Sequence, residues 1–346
     1  MKIRLYKDSD RKAWDEYVMR HPDGTFFHQI GWKEVVEKSF GHKAYYLVAH
    51  KDSSSVNEIT GILPLFSVKS RLFGKSMVSL PFATLGGILA DDSVIVQSLF
   101  DLAASLTVQD ELAYLELRGE NPLVNRLKEK NLYFGFKKEI FPDNDQNLNA
   151  IPRKSRRMVR QGMKNDLKVE FGHLDLIEQF YRLFAVSYHR LGSPVFPKRY
   201  LKCLLETFGN ESFILIVSKN GQPLSAVLSF YFKDQVLPYY SGAYLESQRY
   251  AANDYLYWAL MSHAAEEGCR VFDFGRSKAD TGPFHFKRHW GFEPKALKYQ
   301  YYLNRIDEIP NVSPSNPKYQ RKIELWKKMP LWATKILGPR IVKYIP

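Results

Sequence analysis

The feature that most constrains the fold of this chain is that one order of predicted elements occurs twice. In the first half, apolar β-type runs come first, followed by a helical pattern, one further strand and a Gly-Phe pair. Strands are recognised as short β-branched and aromatic runs, and helices by apolar residues three and four positions apart. The predicted strands cover 45–49, 59–66, 77–80 and 114–118, the helix covers 93–106, and the Gly-Phe pair is 135–136.

The second half of the chain repeats this order. Its predicted strands cover 213–217, 224–232, 237–242 and 271–274, its helix covers 252–267, and its Gly-Phe pair is 291–292. Further helical patterns, over 32–40 and 174–190, precede the two sets. The repeated order is typical of a GNAT acyltransferase domain. We therefore predict an α/β (α+β) fold with two tandem GNAT-like domains, each a mixed sheet flanked by helices.

The boundary between the two predicted domains falls where Pro, Asp and Asn collect, near residues 140–152. Such residues favour turns and connections over regular elements. The prediction is a first domain over 1–148, a second domain over 149–305, and a basic amphipathic C-terminal tail over 306–346.

The net charge of +13 over 346 residues comes from two segments. Residues 153–168 carry seven Lys/Arg and one acid, residues 311–346 carry eight Lys/Arg and one acid, and the rest of the chain is balanced. Each segment is a candidate for RNA phosphates or an anionic membrane surface. The alternative for each is a basic helix face exposed to water.

Several function classes are disfavoured by what the sequence lacks. No run approaches the ~18 apolar residues of a spanning helix, and the N-terminus has no apolar signal region. The two cysteines, Cys203 and Cys269, form neither a metal motif nor a disulfide framework. His285 and His289 are four positions apart, but Pro283 and Gly291 argue against a helix there, and no third ligand is evident. We expect a cytoplasmic protein without a metal.

Five short segments carry a resemblance to a known family. They are FHQIGW at 27–32, IPRKSRR at 151–157, HRLGSP at 189–194, FDFGRS at 272–277 and GPFHFKRHWGF at 282–292. In this order they resemble the FemA/FemB/FemX-type peptidoglycan aminoacyltransferases. The combination is most similar to the FemAB-related proteins of exopolysaccharide and exosortase (PEP-CTERM) systems.

The resemblance implies transfer of an amino acid from aminoacyl-tRNA to an amine of a lipid- or nucleotide-linked envelope precursor, without a cofactor. It implies that Trp32 and Lys33 line the diphosphate-sugar site, with Arg190 on the same phosphates and Tyr240 beside the peptide groove. It also implies that Lys287 stabilises charge during acyl transfer. We expect the cleft between the domains to hold these groups.

The residues around Lys287 allow functional and structural interpretations. A cation at a developing oxyanion is commonly worth ~2.7–4 kcal/mol, and Lys287, expected on a partly desolvated strand, would suit that role. The alternative is a surface lysine flanked by core phenylalanines. Asp273 and Arg276 follow a predicted buried strand: Asp273 is a candidate proton acceptor and Arg276 a candidate substrate ligand, or the two form a structural ion pair.

Two other functions remain open from the sequence. An acyl-CoA-dependent N-acyltransferase would need a glycine-rich pyrophosphate loop, but residues 248–253 read QRYAAN. A non-catalytic RNA- or membrane-binding protein would use the two basic segments. In the tail, 319–332 and 335–344 mix cations with Trp, Leu and Ile, which favours peripheral contact with the inner membrane face.

Overall fold

A computed structural model describes residues 1–51, 58–70, 73–311 and 316–345. The chain forms two compact units. The first unit contains Met1–Leu132, Ala296–Asn316 and Ile341–Pro346, and the second contains Tyr133–Lys295 and Pro317–Arg340.

The first 132 residues form nine strands and three α-helices within the described ranges. The strands are β1 (Lys2–Leu5), β2 (Lys43–Ala44), β3 (Leu47–His50), β4 (Ile59–Leu63), β5 (Phe66–Ser70), β6 (Gly74–Val78), β7 (Leu89–Ala90), β8 (Tyr114–Gly119) and β9 (Lys128–Lys130). The helices are α1 (Arg11–Arg20), α2 (Ile30–Phe40) and α3 (Ser93–Gln109).

Helix α3 shows how local sequence builds this unit. The Asp92 carboxylate accepts a 2.8 Å hydrogen bond from the Ile95 backbone N–H and so caps the helix start. Ile95, Leu99 and Ala103, spaced four apart, are buried on one face of the helix. They join a core with strand residues such as Leu115.

Residues 133–296 form seven strands and six α-helices within the described ranges. The strands are β10 (Tyr133–Glu139), β11 (Lys168–Gly172), β12 (Ser212–Lys219), β13 (Gln222–Phe232), β14 (Gln235–Ala243), β15 (Val271–Lys278) and β16 (Lys295–Ala296). The helices are α4 (Asn144–Ala150), α5 (Arg153–Lys164), α6 (Ile177–Leu191), α7 (Lys198–Phe208), α8 (Ala252–Glu266) and α9 (Gly282–His289).

The sheet of the second unit has the order β11-β12-β13-β14-β15-β10-β16. Strands β14 and β15 are parallel, and they pair only at Gln235 with Val271 and at Val236 with Phe272. Beyond these two pairs β14 continues along β13, while β15 continues along β10. The two parallel strands therefore diverge, which leaves an interruption in the middle of the sheet.

The last strand, β17 (Lys298–Leu303), pairs with β8 and β9 of the first unit. This unit has a six-stranded sheet, β2-β5-β6-β8-β17-β9, in which β6 and β8 are parallel, and a four-stranded antiparallel sheet, β1-β3-β4-β7. The prediction of two GNAT-like α/β domains with mixed sheets is confirmed.

The boundaries of the two units differ from those of the predicted domains. Residues 133–148, predicted in the first domain, lie in the second unit because β10 pairs with β15. Residues 296–305, predicted in the second domain, lie in the first unit because β17 pairs with β8. Each unit therefore takes one strand from the other half of the sequence.

The expectation that residues 283–291 are not helical was wrong. Helix α9 has Pro283 in its first turn, and Gly291, with φ +80°, follows its C-cap residue Trp290. Proline in the first helical turn and a left-handed glycine just past the end are signals for a helix rather than against one.

The tail forms two helices, α10 (Pro317–Lys328) and α11 (Leu331–Val342). In the described part of the chain, no helix combines the length and the apolar character required to cross a bilayer.

Candidate active site

The buried lysine predicted as catalytic lies on α9. Lys287 is only 8% exposed, and its Nζ donates hydrogen bonds to the carbonyl oxygens of Phe274, at 2.7 Å, and Arg276, at 3.1 Å. The Nζ atom is also 5.2 Å from the centre of the Phe136 ring. Burial lowers the pKa of Lys287 to about 7, an effect partly opposed by the Asp273 charge. This amine is therefore poised to change its charge near neutral pH.

The β15 residues predicted beside Lys287 are brought together with it. The Asp273 carboxylate is buried; one of its oxygens accepts a 2.7 Å hydrogen bond from the Gly275 N–H, and the other is 3.6 Å from Lys137 Nζ. Arg276 is half-buried and its guanidinium is 4.4 Å from the centre of the Tyr133 ring. Asp273 therefore forms an ion pair with Lys137, on the neighbouring strand.

Tyr257 is a site residue that the sequence did not single out. It is buried on α8, packs edge-on against Phe274 at 4.9 Å between ring centres, and makes a side-chain hydrogen bond with Ser241 of β14. It therefore connects β14 and β15 beyond the point where they diverge. Burial raises the pKa of the Tyr257 phenol. The available signal was a largely apolar helix with two adjacent aromatics, Tyr257 and Trp258.

Tyr240 lies in an aromatic cluster of the second unit rather than on its surface. It is 5% exposed, and its hydroxyl is 2.9 Å from the hydroxyl of Tyr200. Burial raises the pKa of both phenols. Phe184 of α6 packs edge-on against Tyr240, and Arg190 is exposed in the last turn of the same helix. Arg190 is therefore accessible to an anionic ligand, whereas Tyr240 is part of the core.

The two predicted residues of the first unit occupy different environments. Trp32 has no exposed surface; it packs edge-on against Phe26 and Phe27, and its indole N–H donates to the Pro81 carbonyl at 3.2 Å. A ligand would have to displace these neighbours to reach the ring, so the predicted lining role does not fit its position. Lys33 is partly exposed and pairs with Glu37 at 2.8 Å.

Helix α5 presents the basic segment as a stripe. Arg153, Arg157, Arg160 and Lys164, separated by four, three and four positions, are exposed and share one helix face. The buried residues Ser155, Val159 and Gly162 lie on the opposite face.

The buried face of α5 contacts two other helices of the unit. Ser155 Oγ donates a 2.8 Å hydrogen bond to the carbonyl of His289, at the end of the Lys287 helix. At Gly162, a Cβ atom would lie 2.6 Å from Tyr255 Cβ and 3.1 Å from the Ala251 carbonyl oxygen, so α5 lies directly against the start of α8. Helix α5 is therefore fixed by its buried face to α9 and to the N-terminus of α8, and its basic stripe faces outward.

No group of three or more His, Cys, Asp and Glu side chains that could hold a metal ion occurs among residues 1–51, 58–70, 73–311 and 316–345. The ionisable and polar side chains gathered at this site are those of Lys287, Asp273, Arg276 and Tyr257.

The second half of the chain matches a known family of domains. Residues 147–288 match the Acetyltransferase (GNAT) domain family, which is less than half of the chain. Among curated proteins, none matches the sequence.

Three solved structures have a similar fold. FemX has a TM-score of 0.68 and 15% identity, and the alignment covers 93% of this chain and 100% of FemX. The C-terminal domain of a putative lysylphosphatidylglycerol synthetase from Agrobacterium fabrum has a TM-score of 0.54 and 12% identity, with 86% and 92% covered. A tandem GNAT protein from the clavulanic acid biosynthesis pathway has a TM-score of 0.54 and 11% identity, with 89% and 100% covered.

The chain therefore has a tandem GNAT fold, with a GNAT acetyltransferase-type domain over residues 147–288. The resemblance to the FemA/FemB/FemX-type proteins, predicted from the short motifs, is confirmed at the level of the fold.

Proposed function

We propose that this protein is an acyltransferase that forms an amide on an amine of a cell-envelope precursor, with aminoacyl-tRNA as the donor. The observation that carries the proposal is Lys287, a buried amine on α9 with a pKa of about 7 beside Asp273 and Arg276. Such a perturbed group, within a GNAT-type domain, is characteristic of a catalytic position. No cofactor or metal is required by this chemistry.

In the proposed reaction the acceptor amine attacks the aminoacyl ester carbon. A C–N bond forms, the ester C–O bond breaks, and the amine proton passes to the departing ribose oxygen. Protonated Lys287 stabilises the oxyanion of the tetrahedral intermediate, an interaction commonly worth ~2.7–4 kcal/mol. Asp273 is the proposed transient proton acceptor, since its carboxylate is near enough to Lys287 to raise the pKa of that amine.

The donor site is proposed on the α5 stripe. Four exposed cations along one helix face suit a phosphate backbone, and Ser155 joins that helix to the end of the Lys287 helix. Acyl-CoA is the less favoured donor for a geometric reason. A CoA pyrophosphate would need the backbone N–H groups at the start of α8, and α5 packs against that start at Ala251.

The acceptor is proposed to be a lipid- or nucleotide-linked precursor of peptidoglycan or of an exopolysaccharide. Arg190 and Arg276 offer guanidinium groups for its phosphates, which arginine binds in bidentate fashion. Tyr240 is buried, so its part is to support the surface around the ligand. In the first unit, Lys33 is a separate candidate for a phosphate contact, which would require it to release Glu37.

The relatives support the envelope assignment. FemX shares the whole fold, and the Agrobacterium fabrum relative belongs to a putative lysylphosphatidylglycerol synthetase, whose name joins an amino acid to a membrane lipid. The synthetase name pairs an amino acid with a membrane lipid, as the proposal does, and FemX is of the type that the short motifs resemble.

The test is a donor comparison on the purified full chain. A mixed pool of radiolabelled aminoacyl-tRNA and radiolabelled acetyl-CoA are each offered with a UDP-linked muramyl pentapeptide. We expect label transfer from the tRNA pool only, and binding of tRNA that weakens steeply with salt. Acetyl transfer with no aminoacyl transfer would instead identify the acyl-CoA-dependent N-acyltransferase that the matched GNAT domain also allows.

A matched pair of variants locates the donor site. Replacing Arg157 and Arg160 by Gln removes two exposed charges from the α5 stripe, and is expected to weaken tRNA binding and lower its salt dependence by about two ions. Replacing Lys202, an exposed lysine of α7, by Gln is the control and should leave tRNA binding unchanged. Equal effects of both changes would contradict the assignment of the stripe.

A further inference from the structure

The outer face of α10 combines cations with one exposed leucine. Lys318, Arg321, Lys322 and Lys328 are all exposed, and at spacings of three and four they share a face with Leu325, which is 65% exposed. An isolated exposed leucine is ordinary, but one enclosed by four basic side chains on a single face is not explained by folding alone.

Helix α11 continues the same pattern. Trp332 and Ile336, one helical turn apart, are 68% and 56% exposed, and the exposed Lys335 and Arg340 flank them. All six tryptophans of the chain lie in described residues, and Trp332 alone among them is exposed; the others are at most 9% exposed. We call Leu325, Trp332 and Ile336, together with the cations around them, the tail face.

The opposite sides of the two helices are fixed to the second unit. The Trp326 indole N–H donates to the Ser193 carbonyl at 3.2 Å, and a His189 ring nitrogen is 2.9 Å from the Met329 carbonyl oxygen. At Gly338, a Cβ atom would lie 2.6 Å from backbone atoms of Val195, so α11 packs as closely there as a helix can. The tail face is therefore held outward by its own packing.

We propose that the tail face is a docking surface for an anionic lipid bilayer, which would bring the protein to a membrane-linked substrate. Exposed Trp, Leu and Ile bordered by Lys and Arg form the composition of an interfacial helix: the apolar groups enter the head-group region and the cations contact acidic lipids. The eight basic residues and one acid of 311–346 supply the complementary charge. An RNA partner would use the cations but leaves the aliphatic Leu325 and Ile336 unexplained. The proposal goes beyond the acyl transfer above and does not depend on it.

The experiment uses the full chain with sucrose-loaded vesicles of phosphatidylcholine alone or mixed with phosphatidylglycerol. We expect co-sedimentation only with the anionic vesicles, weakened by salt. Tryptophan emission should shift to shorter wavelength and be quenched by brominated lipid, because Trp332 enters the bilayer. In the Trp332→Phe variant that shift is lost while most of the binding remains, which assigns the signal to this position.

Two sets of variants separate the parts of the surface. Leu325→Ser with Ile336→Ser should weaken partitioning at least tenfold. Arg321→Gln should weaken it about fivefold, since one cation near an anionic surface is worth about 1 kcal/mol. The control is Val94→Ser with Leu245→Ser, which removes two equally exposed apolar residues elsewhere and should have no effect.

Three outcomes would overturn the proposal. They are equal binding to neutral and anionic vesicles, equal weakening by the tail variants and the control, or no quenching of Trp332 by brominated lipid. Binding of an RNA oligonucleotide that depends on Arg321, with no vesicle binding, would assign the surface to RNA instead. Acyl transfer to a soluble acceptor is measured in parallel, so that a failure of membrane docking and a failure of the proposed catalysis are distinguishable.

Discussion

In the described part of the chain, each unit buries one Lys or Arg side chain on or beside the later strand of its parallel pair, and the two cations are held differently. In the first unit, Arg118 of β8 is 2% exposed and its Nε donates to the carboxylate of Glu116 at 2.8 Å. The same guanidinium donates to the carbonyls of Leu80 and Ala83, both at 3.1 Å. In the second unit, Lys287 is bonded to two carbonyl groups, and the nearby Asp273 carboxylate is paired with Lys137.

The difference separates a structural cation from a reactive one. A guanidinium stays protonated in proteins, and Arg118 bonds to the Glu116 carboxylate and to two carbonyls, so it forms a structural ion pair. Lys287 has lost most of its hydration without gaining a directly bonded carboxylate, which is why its pKa falls to about 7. The two units share a fold, but the second contains a lysine, Lys287, whose pKa lies near neutral pH.

The largest effect that would test this comparison is on stability. Arg118→Met leaves the Glu116 carboxylate buried and unpaired, so we expect the free energy of unfolding to fall by roughly 3–5 kcal/mol, measured by chemical denaturation. Adding Glu116→Leu removes the isolated charge and should restore a large part of the loss. If the single and the double variant are equally unstable, Arg118 does not act through Glu116.

The next effect is on catalysis. Lys287→Met should lower kcat by about 10²–10³-fold because the oxyanion loses its cation. In the wild-type protein, kcat/KM should decrease as the pH rises above about 7, where Lys287 loses its proton.

The control for Lys287→Met is Lys138→Met, which removes a neighbouring lysine of β10 whose pKa is also lowered by burial. This variant should keep its activity. If kcat/KM instead increases as the pH rises through 7, Lys287 acts as a general base and not as an electrostatic stabiliser.

A third prediction concerns stability and pH. Between about pH 7 and its ordinary pKa of 10.5, Lys287 is protonated in the unfolded chain but neutral in the folded one. The unfolded state then binds more protons, so the free energy of unfolding rises with pH across this window, by roughly 2–3 kcal/mol between pH 7 and 9. Below about pH 7 the full cost of the buried charge is present.

The measurement is a set of denaturation curves from pH 6 to 9 for the wild type and for Lys287→Met, at equal salt. In the variant, the free energy of unfolding should rise less with pH than in the wild type, whatever the stability of the variant at any single pH. Parallel curves for the two proteins would show that Lys287 is not the group that titrates.

The smallest effect is expected at the half-exposed partner of Asp273. Lys137→Met should change the free energy of unfolding by less than about 1 kcal/mol, because exposed ion pairs contribute little. It frees the Asp273 carboxylate to interact more with Lys287, so the limb of the pH–rate profile should move to higher pH. No movement of the limb, with intact folding, would show that Asp273 does not influence Lys287.

Much of the fold could be predicted because its signals are local. The helix predicted over 252–267 is Ala252–Glu266, and the strand predicted over 224–232 is Gln222–Phe232. Both follow from the periodicity of apolar residues, which depends only on neighbours in sequence. Part of the candidate site could be predicted for a similar reason, since Lys287, Asp273 and Arg276 lie in short motifs of contiguous residues.

The sequence by itself determined the order of the elements, the repeated α/β architecture and the two basic segments, because periodicity, turn residues and charge are properties of contiguous residues. Only the tertiary structure decided which sheet β10 and β17 would join, since an isolated strand can pair with any free edge. It also decided that Trp32 is core, that Tyr257 lies between the diverging strands, and that the Lys287 amine meets two carbonyls. Burial and partners are set by segments distant in sequence, and these determine whether a lysine titrates near pH 7.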